Sequence, residues 1–104
     1  MVANFEEIFS NMLSAFQSNL TEGKGETLTF CQNIFAQSKA NLERLSLLLA
    51  DGTLSKNEFD SEIEDEKINM ETQLLALQII AKSTIQKAIN SAFDVLTSAI
   101  IKII

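Results

Sequence analysis

Apolar residues recur along the first part of the chain at the spacing of one helical face. The stripe consists of Phe5, Phe9, Met12, Phe16 and Leu20. Steps of three and four residues are typical of an amphipathic helix with one side against a core. Asn4 suits the N-cap of this helix, and Glu7 stands three residues later at the capping-box position. The pattern predicts a first helix at residues 5–20, followed by a glycine-containing loop at residues 21–25.

A second apolar stripe keeps the heptad spacing without exception. It consists of Leu28, Cys31, Phe35, Ser38, Leu42, Leu45 and Leu49. A seam of this kind indicates a helix that packs nearly parallel or antiparallel to another helix, as in a coiled coil. The spacing predicts a second helix at residues 26–50.

A turn is predicted directly after this seam. Gly52 can adopt the left-handed backbone that closes a helix. Ser55 followed by Glu58 has the spacing of a capping box, and Leu54 and Phe59 stand where a hydrophobic staple belongs. These local signals agree on a tight helical hairpin.

Beyond this turn the chain has no glycine or proline as far as Ile104. Taken literally, residues 55–104 form one third helix of roughly 74 Å. The predicted fold is therefore a single all-α domain over residues 1–104, a hairpin of three helices with a long C-terminal helix. The alternative is a compact four-helix bundle, which requires the third helix to break near residues 83–84 or 90–91 and fold back.

The second helix reaches only roughly 37 Å and covers the third helix to about residue 80. Residues 81–104 are then left without cover, although their large side chains are each worth ~1.5–3 kcal/mol when buried. The predicted interface consists of Ile85, Ile89, Ala92, Phe93, Leu96, Ile100 and Ile103. Association with a second copy or another protein, contact with a bilayer, or the fold-back just described would each cover this segment.

The charge pattern adds a second candidate surface. The net charge is −6, and this disfavours a nucleic-acid partner, because phosphate binding requires a basic surface. Acidic residues concentrate between residues 57 and 71, where the candidate acidic face consists of Glu58, Glu62, Glu64, Asp65 and Glu66. This face either meets a basic partner or is a solvated helix surface, whose acids near the N-terminus are favoured by the helix dipole.

Groups suited to catalysis are scarce. The chain contains no histidine, tyrosine or tryptophan, so Cys31 lacks the base that would generate a thiolate. Its place on the heptad seam indicates a buried apolar residue. A carboxylate-bridged metal site of the ferritin type would also require histidine. We therefore predict no enzymatic activity, no metal, no cofactor and no small-molecule substrate.

The N-terminal segment and the cysteine content bear on localisation. Glu6 and Glu7 precede any apolar run, unlike a secretory signal peptide, and a single cysteine cannot form an internal disulfide. Synthesis in the cytoplasm is predicted, with signal-independent export or incorporation into a virion left open.

A hairpin of about a hundred residues around a central glycine turn resembles, in architecture, the substrates of specialised secretion systems and the subunits of needle-type filaments. Residues 50–52 at the turn and residues 99–104 at the end would carry this likeness. The Trp-x-Gly signature of the first group and the proline-containing turn of the second are absent. Architecture alone says little about function.

The sequence as a whole predicts a non-enzymatic structural or interaction subunit that self-assembles or binds a protein through its apolar C-terminal helix. One alternative is a membrane-active protein whose C-terminal amphipathic helix engages lipid. A further alternative is a small acidic inhibitor or adaptor bundle that presents its acidic face to a partner.

Overall fold

A computed structural model describes the backbone of residues 5–20, 26–78 and 80–103, and the side chains of residues 5–20, 28–78 and 80–100. Five helices follow one another in these ranges: α1 (Phe5–Ser18), α2 (Glu26–Ala36), α3 (Lys39–Ala50), α4 (Lys56–Ala76) and α5 (Lys82–Ile103). The described residues include no strand, and the all-α fold is confirmed. The predicted cap Asn4 and the predicted loop at residues 21–25 lie outside the described residues.

The first apolar stripe forms one buried face, as predicted. All five of its residues, Phe5 to Leu20, are buried. The helix itself ends at Ser18, two residues before the predicted end, where the Leu20 N–H donates to the Gln17 carbonyl at 3.0 Å in a tighter turn. Helix ends commonly close in such turns, and α1 thus presents an aromatic-rich face to the rest of the chain.

The predicted second helix is interrupted, which corrects the continuous helix expected at residues 26–50. α2 ends at Ala36 and α3 begins at Lys39. Between them, the buried Ser38 hydroxyl donates to the Phe35 carbonyl at 2.7 Å, and the Ser38 N–H donates to the same oxygen at 3.1 Å. A serine that bonds its local backbone competes with the regular helix ladder. The heptad seam nevertheless faces the core on both sides of the break.

The turn after α3 has the predicted construction. Gly52 adopts φ +86°, in the left-handed region that glycine enters without steric cost. The Ser55 hydroxyl accepts from the Glu58 N–H at 3.1 Å, and the Glu58 carboxylate accepts from the Ser55 N–H at 2.9 Å, which completes the capping box. Phe59 is buried at the staple position. α3 and α4 therefore pack as a hairpin.

The long C-terminal helix is not continuous, and this is the main correction to the predicted fold. α4 ends at Ala76, and the Leu77 and Gln78 N–H groups close its last turn on the Leu74 and Leu75 carbonyls at 3.2 and 3.1 Å. Gln78 then adopts φ 56°. The molecule extends 40 Å along its longest axis, against the roughly 74 Å of an unbroken helix.

The chain folds back after Gln78, and α5 packs most extensively against α1 and next against α4. If α2 and α3 are counted as one interrupted helix, this arrangement is the compact four-helix alternative. The break lies before the two positions named for it, residues 83–84 and 90–91. The break contains neither glycine nor proline. The fold-back is therefore stabilised by the apolar surface that α1 and α5 bury together.

The turn between α3 and α4 has a pH dependence that can be measured. The bonds from Ser55 lower the pKa of the Glu58 carboxyl below its ordinary value of 4.5. A carboxyl with a lowered folded-state pKa adds stability above its unfolded pKa and loses that contribution as the pH falls through the folded value. We therefore expect the wild-type protein to lose more stability on acidification below about 4.5 than Glu58→Gln does.

Urea unfolding followed by circular dichroism at neutral and at acid pH measures this difference. Glu62→Gln, which removes an exposed carboxylate from the same helix, is the matched control. Equal acid sensitivity of the wild type and both variants would show that the capping carboxylate makes no contribution to the pH dependence.

Candidate functional site

The predicted C-terminal interface is occupied within the protein itself. Ile85, Ile89, Ala92, Phe93, Leu96 and Ile100 are each at most 3% exposed. The side chain of Ile103 lies outside the described residues. The premise that the chain cannot cover this segment is wrong for the described side chains, because the fold-back lays α5 along α1. These residues form the core of the folded protomer rather than an exposed surface.

The five residues of the predicted acidic face do not form one uniform cluster. Glu58 belongs to the capping box, and Glu66 is half-buried and accepts a hydrogen bond from the Asn41 side-chain amide of α3. The Asn41 side-chain oxygen in turn accepts from the Arg44 guanidinium at 2.6 Å. Two of the five carboxylates therefore stabilise the α3–α4 hairpin.

The other three carboxylates, Glu62, Glu64 and Asp65, are exposed. Successive residues of a helix are turned by about 100°, so Asp65 lies on the side of α4 opposite to Phe59 and Met70, and Glu62 and Glu64 lie on its two flanks. Ile68 is 60% exposed and lies one helical turn after Glu64 and Asp65. We call Glu62, Glu64, Asp65 and Ile68 the α4 outer surface. This surface combines a large exposed aliphatic side chain, two carboxylates one turn away from it and a third carboxylate nearer the N-terminus of α4.

A groove borders the α4 outer surface on the side of α2 and α3. It has a volume of about 320 Å³. Its walls include Ile34, Gln37 and Ser38 at the α2–α3 break and Glu66, Asn69 and Gln73 on α4. The break in the predicted second helix opens this groove, so the heptad pattern, which predicts an unbroken helix, gave no sign of it.

A smaller groove of about 150 Å³ borders the same surface on the side of α5. Glu64, Lys67, Ile68 and Glu71 form its α4 wall, and Gln86 and Asn90 lie across from them on α5. The Lys67 ammonium and the Glu64 carboxylate are 3.5 Å apart. The α4 outer surface is therefore a ridge between two grooves, and both grooves have carboxylates in their walls.

Positive charge compensates this region only partly. Along α4, Lys56 pairs with Asp60 at 2.7 Å, and Lys67 is the only other cation of the helix. Exposed pairs of this kind are screened by water and salt. No cation lies three or four residues from Glu62 or Asp65 along α4, the spacing at which helix side chains pair, so negative potential is concentrated on the outer side of α4.

The chemistry open to the described residues is limited. Cys31 is fully buried, and burial raises the pKa of its thiol, which keeps it protonated. Within the described ranges, no three side chains of histidine, cysteine, aspartate or glutamate are grouped so that they could hold a metal ion. Nor does any helix in the described part of the chain have the length and apolarity needed to cross a bilayer.

Sequence reasoning named Glu62, Glu64 and Asp65 but missed Ile68 and both grooves. Ile68 interrupts the polar side of α4, and an isoleucine off the apolar stripe was the available signal. The grooves depend on the two helix breaks, which carry no glycine or proline. Comparison with protein-family models, with curated proteins and with solved structures finds no match to this chain.

Proposed function

We propose that this protein is a non-enzymatic binding module that presents the α4 outer surface to a basic protein partner. The observation that carries the proposal is the exposed Ile68 with Glu64 and Asp65 one turn before it and Glu62 one turn before Asp65. Single exposed apolar residues are ordinary on protein surfaces. An aliphatic side chain on a ridge between two carboxylate-walled grooves offers both an apolar anchor and charge complementarity.

The geometry favours a basic segment with one or two apolar side chains. Its apolar residue would cover Ile68, and its lysine or arginine side chains would reach the carboxylates on either side of the ridge. Charge complementarity of this kind steers association and sets specificity. The role predicted for the apolar C-terminal helix does not apply to a single folded copy, since that helix is already buried.

A charge-reversal pair tests the proposal. We expect the double variant Glu62→Lys/Asp65→Lys to bind a lysine-rich amphipathic peptide about tenfold more weakly than the wild type, because two attractive contacts of up to ~1 kcal/mol each become repulsive. The peptide is titrated into isotope-labelled protein, and amide chemical shifts report both affinity and location. Ile68→Ala is expected to weaken binding as well, without changing the net charge.

The matched control is Glu7→Lys/Asp94→Lys, which makes the same change in net charge at exposed positions on α1 and α5. Shifts confined to α4 and the walls of its two grooves, with the control close to wild type, are the expected outcome. Shifts scattered over the molecule, or equal losses in both double variants, would mean that the peptide responds only to net charge and would overturn the proposal.

A further inference from the structure

The connection between α4 and α5 contains a residue in an unfavourable backbone conformation. Gln78 adopts φ 56° and is the one non-glycine residue with positive φ in the described ranges. For a residue with a Cβ, the left-handed helical region is disfavoured roughly five- to thirtyfold relative to the right-handed one. The fold-back is therefore maintained against a local preference of its own connecting segment.

The alternative to this conformation is a continuous helix. The connection after Ala76 has no glycine or proline, and helix propensity favours glutamine well above glycine. The apolar spacing also continues across it at steps of three and four, through Met70, Leu74, Leu77, Ala81, Ile85 and Ala88. Local sequence thus supports one straight helix from α4 into α5, and only the packing of α5 opposes it.

Straightening this connection would carry α5 away from α1 and expose the buried side chains of Ile85, Ala92 and Leu96. In a second copy with the same straight connection, the apolar faces of α1 and α4 have also lost their contacts with α5. Each α5 then fits the other copy with the contacts that it makes in the monomer, in a closed two-fold arrangement. No new interface is needed, because the exchanged contact is the existing one between α1 and α5.

We propose that this chain exchanges α5 with a second copy, forming a dimer in which α4 and α5 are one continuous helix. Gln78 is the hinge residue: the monomer holds it in the left-handed region, and the dimer returns it to the helix. This inference does not depend on the proposed function, since the α4 outer surface is exposed in both states.

Two substitutions at one position test the hinge. Gln78→Gly removes the steric cost of the left-handed conformation and weakens the helix, and Gln78→Ala has the opposite preferences. We expect the dimer dissociation constant of Gln78→Ala to be lower than that of Gln78→Gly by about a hundredfold, a factor of roughly ten at each of the two hinges. Ser98→Ala and Ser98→Gly, at an exposed position that is helical in both states, should not differ in this way.

The measurement is size-exclusion chromatography with light scattering after refolding at the highest soluble concentration. Wild-type protein is expected to yield some dimer, Gln78→Ala more and Gln78→Gly less. To identify the exchange, methyl-labelled and unlabelled chains are refolded together, and intermolecular nuclear Overhauser effects are sought between α1 and α5. Their presence supports the proposal.

Three outcomes would overturn it. One is a strictly monomeric protein in all three forms. Another is a dimer fraction that does not differ between Gln78→Ala and Gln78→Gly. The last is a dimer in which every contact between α1 and α5 is intramolecular, because such copies associate side by side without exchange.

Discussion

Replacing Ile89 with aspartate is expected to unfold the protein as a whole. Ile89 is 2% exposed on the face of α5 that packs into the core. The substitution removes a buried aliphatic side chain worth ~1.5–3 kcal/mol and places a carboxylate at a position that has almost no contact with water. A buried charge without a partner lowers the free energy of unfolding by a further amount on the order of several kcal/mol. The sum approaches the total stability of about 5–15 kcal/mol that a small domain has.

Far-ultraviolet circular dichroism and an amide correlation spectrum measure the outcome. Loss of helix signal over the whole chain, with collapsed amide dispersion, is expected for Ile89→Asp. Asn90→Asp introduces the same charge one residue further on, at an exposed position of α5, and should keep the wild-type spectrum. A variant that loses only the signals of α5, with α2 to α4 intact, would show that α5 is a peripheral helix and contradict the packing described above.

The expected unfolding also separates two explanations of the apolar C-terminal segment. The sequence predicted correctly that this segment needs cover, because its stripe of isoleucine, phenylalanine and leucine is too wide to remain in water. It left three sources of that cover open and favoured a second molecule, whereas the fold-back, one of the alternatives, covers the described side chains. Burial depends on which surfaces meet in three dimensions. The same apolar stripe can be buried by packing on α1 or by packing on a second molecule.

Local signals predicted those parts of the fold that local chemistry determines. The capping box of Ser55 and Glu58, the left-handed Gly52 and the buried stripe of α1 all involve residues within a few positions of each other. The break at Gln78 could not be predicted in this way, because glutamine favours the helix there. Its left-handed conformation is stabilised by contacts of α5 that lie far away in sequence.

The candidate surface was predictable to a similar extent. Charge alone identified Glu62, Glu64 and Asp65, since exposed carboxylates on the polar side of a helix need no tertiary information. The same reasoning could not assign Glu66 to the hairpin, because its partner Asn41 is 25 positions away. The grooves beside α4 follow from helix breaks that the sequence does not mark.

Replacing Phe35 with alanine is expected to destabilise the protein by about 3–5 kcal/mol, the usual cost of deleting a buried phenylalanine ring. Phe35 is fully buried. Its ring centroid lies 5.1 Å from that of Phe9 and 4.7 Å from that of Phe16, so one ring of α2 contacts α1 at two positions that are about two helical turns apart. Aromatic pairs at such distances contribute about 0.5–1.5 kcal/mol beyond area burial.

Thermal and urea unfolding measure this loss, and a fall in Tm of about 12–25 °C is expected for a domain of this size. Phe30→Ala makes the same chemical change on the same helix, where the ring is 51% exposed, and should alter stability by no more than about 0.5 kcal/mol. The double variant Phe9→Ala/Phe35→Ala should cost less than the sum of its single changes, because each removes the shared ring contact. Equal effects of Phe30→Ala and Phe35→Ala would mean that the aromatic cluster does not join α1 to α2. In that case α2 would not help to hold α1 in the position on which α5 packs.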